Sequence, residues 1–295
     1  MKKIIIVTGG AGFVGTNLIQ HLTKKTKLKI ISLDDYSSGT KKNHIKSNRI
    51  LYLKGNTKNI ENILKKYKSR IHSIFHFGEF SRIFQSFLQM NKCIQSNLIG
   101  THAVFDFCLK NKIRLIYSAT SASLGNKGED KNLSPYAFTK AKNLELLENL
   151  RKWFNFKYEA IFFYNVYGPG QIKFGNMSTV IGIFEDHFLK NQPLPVVKPG
   201  SQSRRFTHIS DTVRVCYKAW KANKSRFYSI SNRKSFTILQ VAKMFSKKIK
   251  FLPPRKGERY ASALSTLSLS KKIYKTFGKI NLKKYVLDFK KANEK

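Results

Sequence analysis

Acidic residues are scarce in this chain of 295 residues, which has 16 Asp and Glu against 56 Lys and Arg. The resulting formal charge of +40 at pH 7 favours contact with anions such as nucleic acid, membranes and phosphorylated metabolites. The lysines are spread in pairs along nearly every predicted helix, without a basic tail or a basic–aromatic cluster, so no specific nucleic-acid motif is predicted. Compositional drift in the host explains the charge equally well, and the charge alone names no function.

Cysteine is also rare. Cys93, Cys108 and Cys216 have neither an even count nor the spacing of metal ligands, so we expect reduced thiols in a cytoplasmic protein and no metal site. No run reaches the roughly 20 apolar residues that cross a bilayer, so no membrane span is predicted. The four apolar residues after the initial lysine pair are too few for a secretory signal. A content of 41 % hydrophobic residues indicates a globular protein.

Short β-branched runs alternate with amphipathic stretches along the first part of the chain. This alternation predicts an α/β fold, with a Rossmann-type doubly wound parallel sheet covered by helices on both faces. After about residue 168 the rhythm changes, and loops with Gly and Pro separate shorter elements. We therefore expect a Rossmann domain over residues 1–168, to which a segment near 205–230 returns. A smaller C-terminal α/β substrate-binding lobe is expected over 169–295.

The segment TGGAGFVG, residues 8–15, lies between a predicted strand and a predicted helix. Glycines at positions 9, 12 and 15 allow a tight turn, close approach of a pyrophosphate and close packing of the helix. The second strand ends at Asp34 and Asp35, where a carboxylate binds ribose hydroxyls and repels a 2′-phosphate, which favours NAD over NADP. The alternative is that both aspartates only begin the polar turn DDYSSG.

The segment LSPYAFTKAK, residues 133–142, places Tyr136 and Lys140 four residues apart, on one face of a helix. A free phenol has a pKa of about 10 and is a poor base at neutral pH. A nearby ammonium and the positive end of a nicotinamide both favour the phenolate, which then accepts a proton from a substrate hydroxyl. From the spacing alone, an ordinary surface helix is the better interpretation. The glycine motif reverses this judgement, because it predicts a nicotinamide-cofactor site in the same chain.

Three stretches in this order, TGGAGFVG, YSATSASLG at 117–125 and YAFTK at 136–140, resemble the extended short-chain dehydrogenase/reductase family. Within that family the chain looks like the nucleotide-sugar epimerases and dehydratases, of the UDP-glucose 4-epimerase kind. Further similar stretches, such as NVYGPGQ at 165–171, GSQSRRFTHISDT at 200–212 and PPRKGE at 253–258, extend the resemblance over roughly residues 3–280.

The resemblance implies Tyr136 as the catalytic acid/base, with Lys140 as its partner that also holds the nicotinamide ribose. Counting back five residues from Gly125, as in the family pattern, places Thr120 at the catalytic Ser/Thr position, with Ser118, Ser121 and Ser123 as alternatives. The implied NAD-binding residues are Gly9, Gly12, Phe13, Val14, Gly15, Asp34, Asp35, Asn56, Thr57, Phe77, Gly78, Asn97, Tyr136 and Lys140. The implied substrate-binding residues are Thr120, Asn165, Arg204 and Arg255, where each arginine is alternatively a plain surface charge.

The chain departs from the family pattern at several positions. Asn56 stands where an aspartate is usual, and Leu124, Phe162 and Arg205 replace a frequent tyrosine, an arginine and an acidic residue. The segment GEFSRIFQSF, residues 78–87, is distinctive, and its Glu79, Ser81 and Arg82 are candidates to recognise substrate. The alternative is that Glu79 and Arg82 pair with each other. These departures affect the identity of the sugar and nucleotide more than the catalytic core.

The family's dehydratases carry an acidic residue just after the catalytic Ser/Thr, whereas this chain has none between Thr120 and Glu129. The resemblance therefore favours NAD-dependent epimerisation of a nucleotide sugar, at C4 of a UDP-hexose, through a 4-keto intermediate. A dehydratase or reductase of the same family is the first alternative. A non-catalytic NAD-binding scaffold with a basic surface is the second. The resemblance also implies a homodimer, built from the helix around 95–111 and the Tyr136 helix, and a role in making surface polysaccharide.

Overall fold

The computed structural model describes residues 3–124, 132–261 and 273–293. Its main sheet has eight strands, β1 (Ile4–Thr8), β2 (Lys29–Asp34), β3 (Ile50–Lys54), β4 (Ile71–His76), β5 (Arg114–Thr120), β6 (Tyr158–Phe163), β11 (Phe227–Ser231) and β14 (Ile273–Phe277). The strand order is β14-β11-β6-β5-β4-β1-β2-β3, and every neighbouring pair is parallel. The predicted doubly wound parallel sheet is confirmed.

Helices cover both faces of this sheet. In chain order they are α1 (Phe13–Lys25), α2 (Ile60–Leu64), α3 (Ile83–Leu88), α4 (Met90–Ile94), α5 (Thr101–Lys110), α6 (Pro135–Phe154), α7 (Val180–Leu189), α8 (Ile209–Ala222), α9 (Ile238–Phe245) and α10 (Leu282–Lys291). A π-helical segment, Gln95–Gly100, joins α4 to α5. Among the described residues, no helix is long and apolar enough to cross a membrane.

Two apolar cores follow from the alternation of side chains along the strands. Ile5 and Val7 of β1 pack with α1 and α8 on one face. Ile4 and Ile6 point to the opposite face, where α2, α5 and α6 cover the sheet. Strands buried on both faces must be apolar throughout, and all five residues of β1 are buried.

The smaller lobe has a core of its own, to which α7, α9 and α10 contribute Phe184, Phe245 and Val286. Its remaining strands form pairs rather than a continuous sheet. They are β7 (Val166–Tyr167) with β10 (Thr207–His208), β8 (Leu194–Val197) with β13 (Ile249–Leu252), and β9 (Ser203–Arg204) with β12 (Phe236–Thr237). Strands β11 and β14 lie beyond residue 168 in the chain but pair within the main sheet.

The glycine loop after β1 is packed too closely against backbone atoms for larger side chains at Gly9 and Gly15. Gly9 has φ +67, and a Cβ there would lie 2.8 Å from the Gly78 nitrogen. A Cβ on Gly15 would lie 2.1 Å from the Gly9 carbonyl oxygen. A Cβ on Gly12 would meet only that same oxygen, at 3.3 Å. Packing therefore requires Gly9 and Gly15, whereas Gly12 is not required by packing.

We expect Gly15→Ala to lower the free energy of unfolding by about 1–3 kcal/mol, because the methyl group forces α1 away from the loop. Gly12→Ala is the matched control and should cost less than about 1 kcal/mol, since its extended φ suits alanine. Urea denaturation followed by circular dichroism measures both. Equal midpoints for the two variants would contradict the close-packing argument.

Candidate functional site

A cavity of about 400 Å³ opens at the carboxyl ends of β1, β2, β4 and β5, between the main sheet and the smaller lobe. The chain turns from β1 to β2 in one direction and places β4 on the other side of β1, so this is the point where the strand order reverses. Open α/β sheets bind ligands at such a point. Most of the residues predicted to bind NAD line the cavity, namely Gly9, Gly12, Phe13, Val14, Gly15, Asp34, Asp35, Asn56, Thr57, Phe77, Gly78, Tyr136 and Lys140.

The amino end of α1 forms one wall of the cavity. Gly12 is the N-cap residue, and no side chain caps the helix. The first backbone N–H groups of Phe13 and Val14 are therefore available to an anion, and the helix dipole favours negative charge there. Because a Cβ on Gly12 would meet little, a diphosphate can approach its backbone closely. The loop fits the pyrophosphate of a dinucleotide.

Two carboxylates mark the end of the cavity next to β2. Asp34 is buried and accepts hydrogen bonds from the backbone nitrogens of Ala11 and Tyr36, at 2.9 and 2.8 Å. Burial raises the pKa of Asp34, and the two backbone hydrogen bonds oppose that rise. Asp35 is exposed and accepts a hydrogen bond of 3.2 Å from the side-chain nitrogen of Asn56. An aspartate at position 56 would face Asp35 with a second negative charge, which gives a local reason for asparagine.

The three predicted catalytic residues meet in the middle of the cavity wall. Thr120 ends β5, and Tyr136 and Lys140 occupy the first two turns of α6, which begins with Ser134 as N-cap and Pro135 in the first helical position. The exposed fractions of Thr120, Tyr136 and Lys140 are 9, 9 and 3 %. The structure therefore places the Tyr136–Lys140 pair inside the cavity rather than on an exposed helix face.

The Tyr136 phenol is strongly held in its protonated form in the protein alone. Burial raises the pKa of Tyr136 to about 12, and the negative charge of Glu79 adds to the rise. A hydrogen bond with the Thr120 side chain and the positive charge of Arg82 act in the opposite direction. Generating the phenolate at neutral pH therefore needs additional positive charge beside the ring.

The ammonium of Lys140 is already paired. It donates to the carboxylate of Glu79 and to the carbonyl oxygen of Ser118, and the Lys140 and Glu79 side chains are each 3 % exposed. Burial lowers the pKa of Lys140, while Glu79 opposes that change. Sequence reasoning singled out Glu79 as a substrate contact or a partner of Arg82, and the structure pairs it with Lys140. The sequence carried one signal, because Glu79 is one of few acidic residues and lies in the loop that follows the buried strand β4.

A chain of hydrogen bonds joins this ion pair to the strand that carries the glycine loop. The Thr101 hydroxyl donates to Glu79 at 3.0 Å, so its oxygen accepts from His76 Nε2 at 2.9 Å. His76 Nδ1 then accepts from the Thr8 hydroxyl at 2.7 Å. Burial lowers the pKa of His76 to about 4, which keeps the ring neutral at physiological pH. The Thr8 oxygen in turn accepts from the backbone nitrogens of residues 77 and 78, at 3.1 and 3.0 Å.

Asn97 lies behind the cavity wall rather than in it. Its side-chain oxygen accepts from the Phe80 nitrogen at 2.7 Å, and its nitrogen donates to the Phe80 oxygen at 3.0 Å. This pair of bonds fixes the backbone of Phe80, which lines the cavity together with Ser96. The structure therefore gives Asn97 the role of holding the wall.

On the substrate side, the arginines that reach the cavity are not the two expected from the sequence. Asn165 lines the cavity, whereas Arg204 and Arg255 are absent from its lining. Arg204 is buried in an ion pair of 2.8 Å with Glu258. Arg255 is exposed and lies 5.1 Å from the centre of the Phe84 ring.

Arg82 and Arg259 line the cavity in their place. Arg259 is 3 % exposed and donates to the Ser121 carbonyl oxygen at 2.6 Å. Arg82 donates to the carbonyl oxygens of Met177 and Ser81. Sequence reasoning missed Arg259, because it lies outside the quoted PPRKGE stretch.

Residues 121–123 follow Thr120, the predicted catalytic threonine, and carry no carboxylate. Ser123 donates to the Thr120 carbonyl oxygen at 2.8 Å, and Ser121 offers its carbonyl oxygen to Arg259. Glu129, the next acidic residue along the chain, lies outside the described residues.

Glu79→Gln should lower the free energy of unfolding by about 3–5 kcal/mol, because it leaves the Lys140 ammonium buried without a counter-charge. Glu145→Gln is the control, since it breaks the exposed Lys142–Glu145 pair on the same helix as Lys140 and should change the urea midpoint little. Urea denaturation at pH 7 measures both variants. A Glu79→Gln midpoint equal to that of the control would show that the buried pair does not stabilise the fold.

Comparison with known proteins agrees with this geometry. A family model described as "NAD dependent epimerase/dehydratase family" matches residues 5–231. The dTDP-D-glucose 4,6-dehydratase of Dictyostelium discoideum is 30 % identical over 237 residues, which are 71 % of this chain and 53 % of that protein, so the chain spans about half of that relative. An uncharacterised UDP-glucose epimerase of Bacillus subtilis is 28 % identical over 229 residues, 71 % of this chain and 70 % of that protein.

Among solved structures, the UDP-glucose 4-epimerase of Thermotoga maritima, determined with UDP-glucose, superposes with a TM-score of 0.82. It is 23 % identical to this chain, and the match covers 99 % of this chain and 100 % of that one. At 23 % identity, this similarity shows the fold alone. The family model shows the family, because it covers most of the chain. The chain belongs to the NAD-dependent epimerase/dehydratase family, and NAD is its cofactor.

Proposed function

We propose that this protein epimerises a nucleotide sugar at C4 of a UDP-hexose by transient oxidation to a 4-keto intermediate. The observation that carries the proposal is the convergence of Thr120, Tyr136 and Lys140 on one cavity whose other end presents the glycine loop and Asp34. Epimerase relatives and neighbours support the choice of reaction.

Bound NAD supplies the hydride acceptor and donor and a positive nicotinamide ring. The residues that would hold it are those of the glycine loop, Asp34 and Asp35 at the adenosine end, and Lys140 at the ribose next to the nicotinamide. The packed loop, the open N-terminus of α1 and the buried carboxylate of Asp34 fit such a dinucleotide.

The chain's own residues then handle the proton. Tyr136 in its phenolate form accepts the proton of the sugar 4-hydroxyl, and Thr120 donates a hydrogen bond to the same oxygen. After the keto sugar has turned over in the cavity, the Tyr136 phenol returns the proton to that oxygen. Lys140 stays protonated through its pairing with Glu79 and keeps one N–H donor for the cofactor ribose or for the phenol.

Elimination of water is the first alternative, because the family includes dehydratases and one relative is named as such. It needs an acid beside the catalytic threonine, and residues 121–123 offer only Ser, Ala and Ser. The remaining alternatives, a reductase or an NAD-binding scaffold with a basic surface, predict no C4-inverted product. A cytoplasmic location and a role in making surface polysaccharide stay predictions.

We expect the purified protein to convert at least one of UDP-glucose, UDP-N-acetylglucosamine and UDP-glucuronate to its C4 epimer without added reductant, as followed by proton NMR. Tyr136→Phe should lower turnover by about 100-fold or more, since the general base is lost. Tyr217→Phe, on α8 and outside the cavity lining, is the matched control and should retain activity. A product lighter by one water would support the dehydratase instead, and unchanged sugars with NAD retained would overturn C4 epimerisation of these substrates.

We also propose that two copies of the chain associate through α6 and the helical stretch 95–110. Large apolar side chains are exposed on both, with Ile99 at 50 % and Phe138 at 36 %. A twofold interface would bury each patch against the same patch of the second copy.

Light scattering should then give twice the chain mass of 34.0 kDa, and Ile99→Glu should shift it towards a single chain, because the carboxylate is costly in an apolar contact. Leu287→Glu, at a 51 % exposed position on α10, is the control and should leave the mass doubled. A wild-type mass of one chain would contradict the dimer.

A further inference from the structure

Two arginines on the cavity wall, Arg82 and Arg259, make no ion pair with a carboxylate of the described residues. Two other cations near the site, Lys140 and Arg204, are buried, and each pairs with a glutamate. Arg82 and Arg259 donate only to carbonyl and hydroxyl oxygens within the described part of the chain. A carbonyl satisfies a hydrogen bond but does not neutralise the charge.

Arg259 is buried, and a buried charge without a paired counter-charge is costly. Burial lowers the pKa of Arg259 to about 10, and the neighbouring charge of Arg204 adds to this, so the group still carries its charge at neutral pH. A guanidinium removed from water gains most from an anion with two oxygens, which accepts two parallel hydrogen bonds. The general excess of basic residues does not explain Arg259, because excess surface charge remains solvated whereas this side chain is 3 % exposed.

Both arginines lie at the reacting end of the cavity. Arg259 donates to the carbonyl of Ser121, the residue directly after Thr120. Arg82 immediately precedes α3, and Ser86 of that helix accepts a hydrogen bond of 3.2 Å from the Tyr136 nitrogen. The positive charge of Arg82 also lowers the pKa of Tyr136. An anion bound between these arginines therefore sits beside the group that acts on the sugar.

The chemistry of a nucleotide sugar limits what this anion is. In a pyranose, C1 carries the diphosphate and lies across the ring from C4. C5 is bonded to C4, so the substituent on C5 lies next to the atom that reacts. Cations grouped around Tyr136 are therefore closer to a carboxylate on C5 than to the diphosphate on C1.

We propose that the preferred substrate class is a nucleotide-linked hexuronate, whose carboxylate binds between Arg82 and Arg259. This inference rests on the proposed C4 chemistry, because C4 places the C5 substituent at the arginines. It assigns these two arginines to the selection of the substrate.

The test compares kcat/KM for UDP-glucuronate and UDP-glucose in the NAD-loaded protein and in Arg82→Gln and Arg259→Gln. The wild-type protein should prefer the uronate by about tenfold or more, and each variant should reduce that preference by about tenfold or more, as expected for loss of a charge-assisted hydrogen bond. Arg70→Gln removes an exposed charge of the same kind and should not alter the preference, which controls for the net charge of +40. Urea denaturation establishes that each variant is folded.

Calorimetry gives a readout that does not depend on turnover. UDP, UDP-glucose and UDP-glucuronate are titrated into NAD-loaded Tyr136→Phe, with and without each arginine change. A selective loss of uronate affinity supports the proposal. Equal weakening of all three ligands would overturn it, because the arginines would then bind the diphosphate.

The two proposals fail in different ways. If the protein inverts UDP-glucose but binds UDP-glucuronate no more tightly, the inference is wrong and the epimerase proposal stands. If no sugar is inverted, the epimerase proposal fails for these substrates, and the calorimetric comparison still decides whether the arginines bind a carboxylate.

Discussion

The buried ion pair between Lys140 and Glu79 is the contact that the candidate site depends on most. It ties α6 to the loop after β4, and the Ser118 carbonyl ties the same ammonium to β5. A lysine ammonium has three N–H donors, and these two contacts use two of them. One donor is left for a cofactor ribose or for the phenol. The pair thus orients Lys140 before any ligand binds and limits what it can contact afterwards.

The same pair sets the charge around the Tyr136 ring. A free ammonium next to the ring would lower the phenol pKa strongly, whereas the Glu79 carboxylate raises it. Because the Lys140–Glu79 pair is neutral overall, the phenolate must be favoured by other positive charges. The protein itself supplies one of them, the guanidinium of Arg82. The cavity wall is therefore acidic at Asp34 and Asp35, neutral at the ion pair, and basic at Arg82 and Arg259. NAD with its adenosine ribose at the aspartates, together with an anionic sugar substrate at the arginines, would match this order of charge.

The features that were predicted correctly from the sequence are those that depend on a local pattern of residues. Strand and helix alternation gave the doubly wound sheet, and the glycine spacing gave the loop. The four-residue spacing of Tyr136 and Lys140 needs only a helix to bring both to one face. The partner of Lys140 could not be found this way, since Glu79 lies 61 residues away and meets it only through the packing of α6 on the sheet.

The arginines show a second limit of motif reasoning. A motif marks positions along a chain, while the turn of the backbone decides which side chain faces the ligand. Between Arg255 and Arg259 the backbone passes through Gly257, which has φ +76 and packs so tightly against Phe87 that a Cβ would lie 2.6 Å from its ring. This turn leaves Arg255 on the outside, over Phe84, and carries Arg259 into the cavity.

The hydrogen bonds of Glu79 also bear on the choice between epimerisation and elimination. A dehydratase must protonate the departing hydroxyl, and Glu79 is a carboxylate on the wall beside Tyr136. One of its oxygens accepts from Tyr117 and Thr101 at 3.0 Å and from Asn143 at 3.3 Å, and the other accepts from Lys140 and Ser118. Both oxygens are thus engaged by donors, so neither is placed to carry a proton towards a substrate. Glu79 fits the role of a fixed counter-charge, which favours a reaction in which one group, Tyr136, takes and returns the same proton.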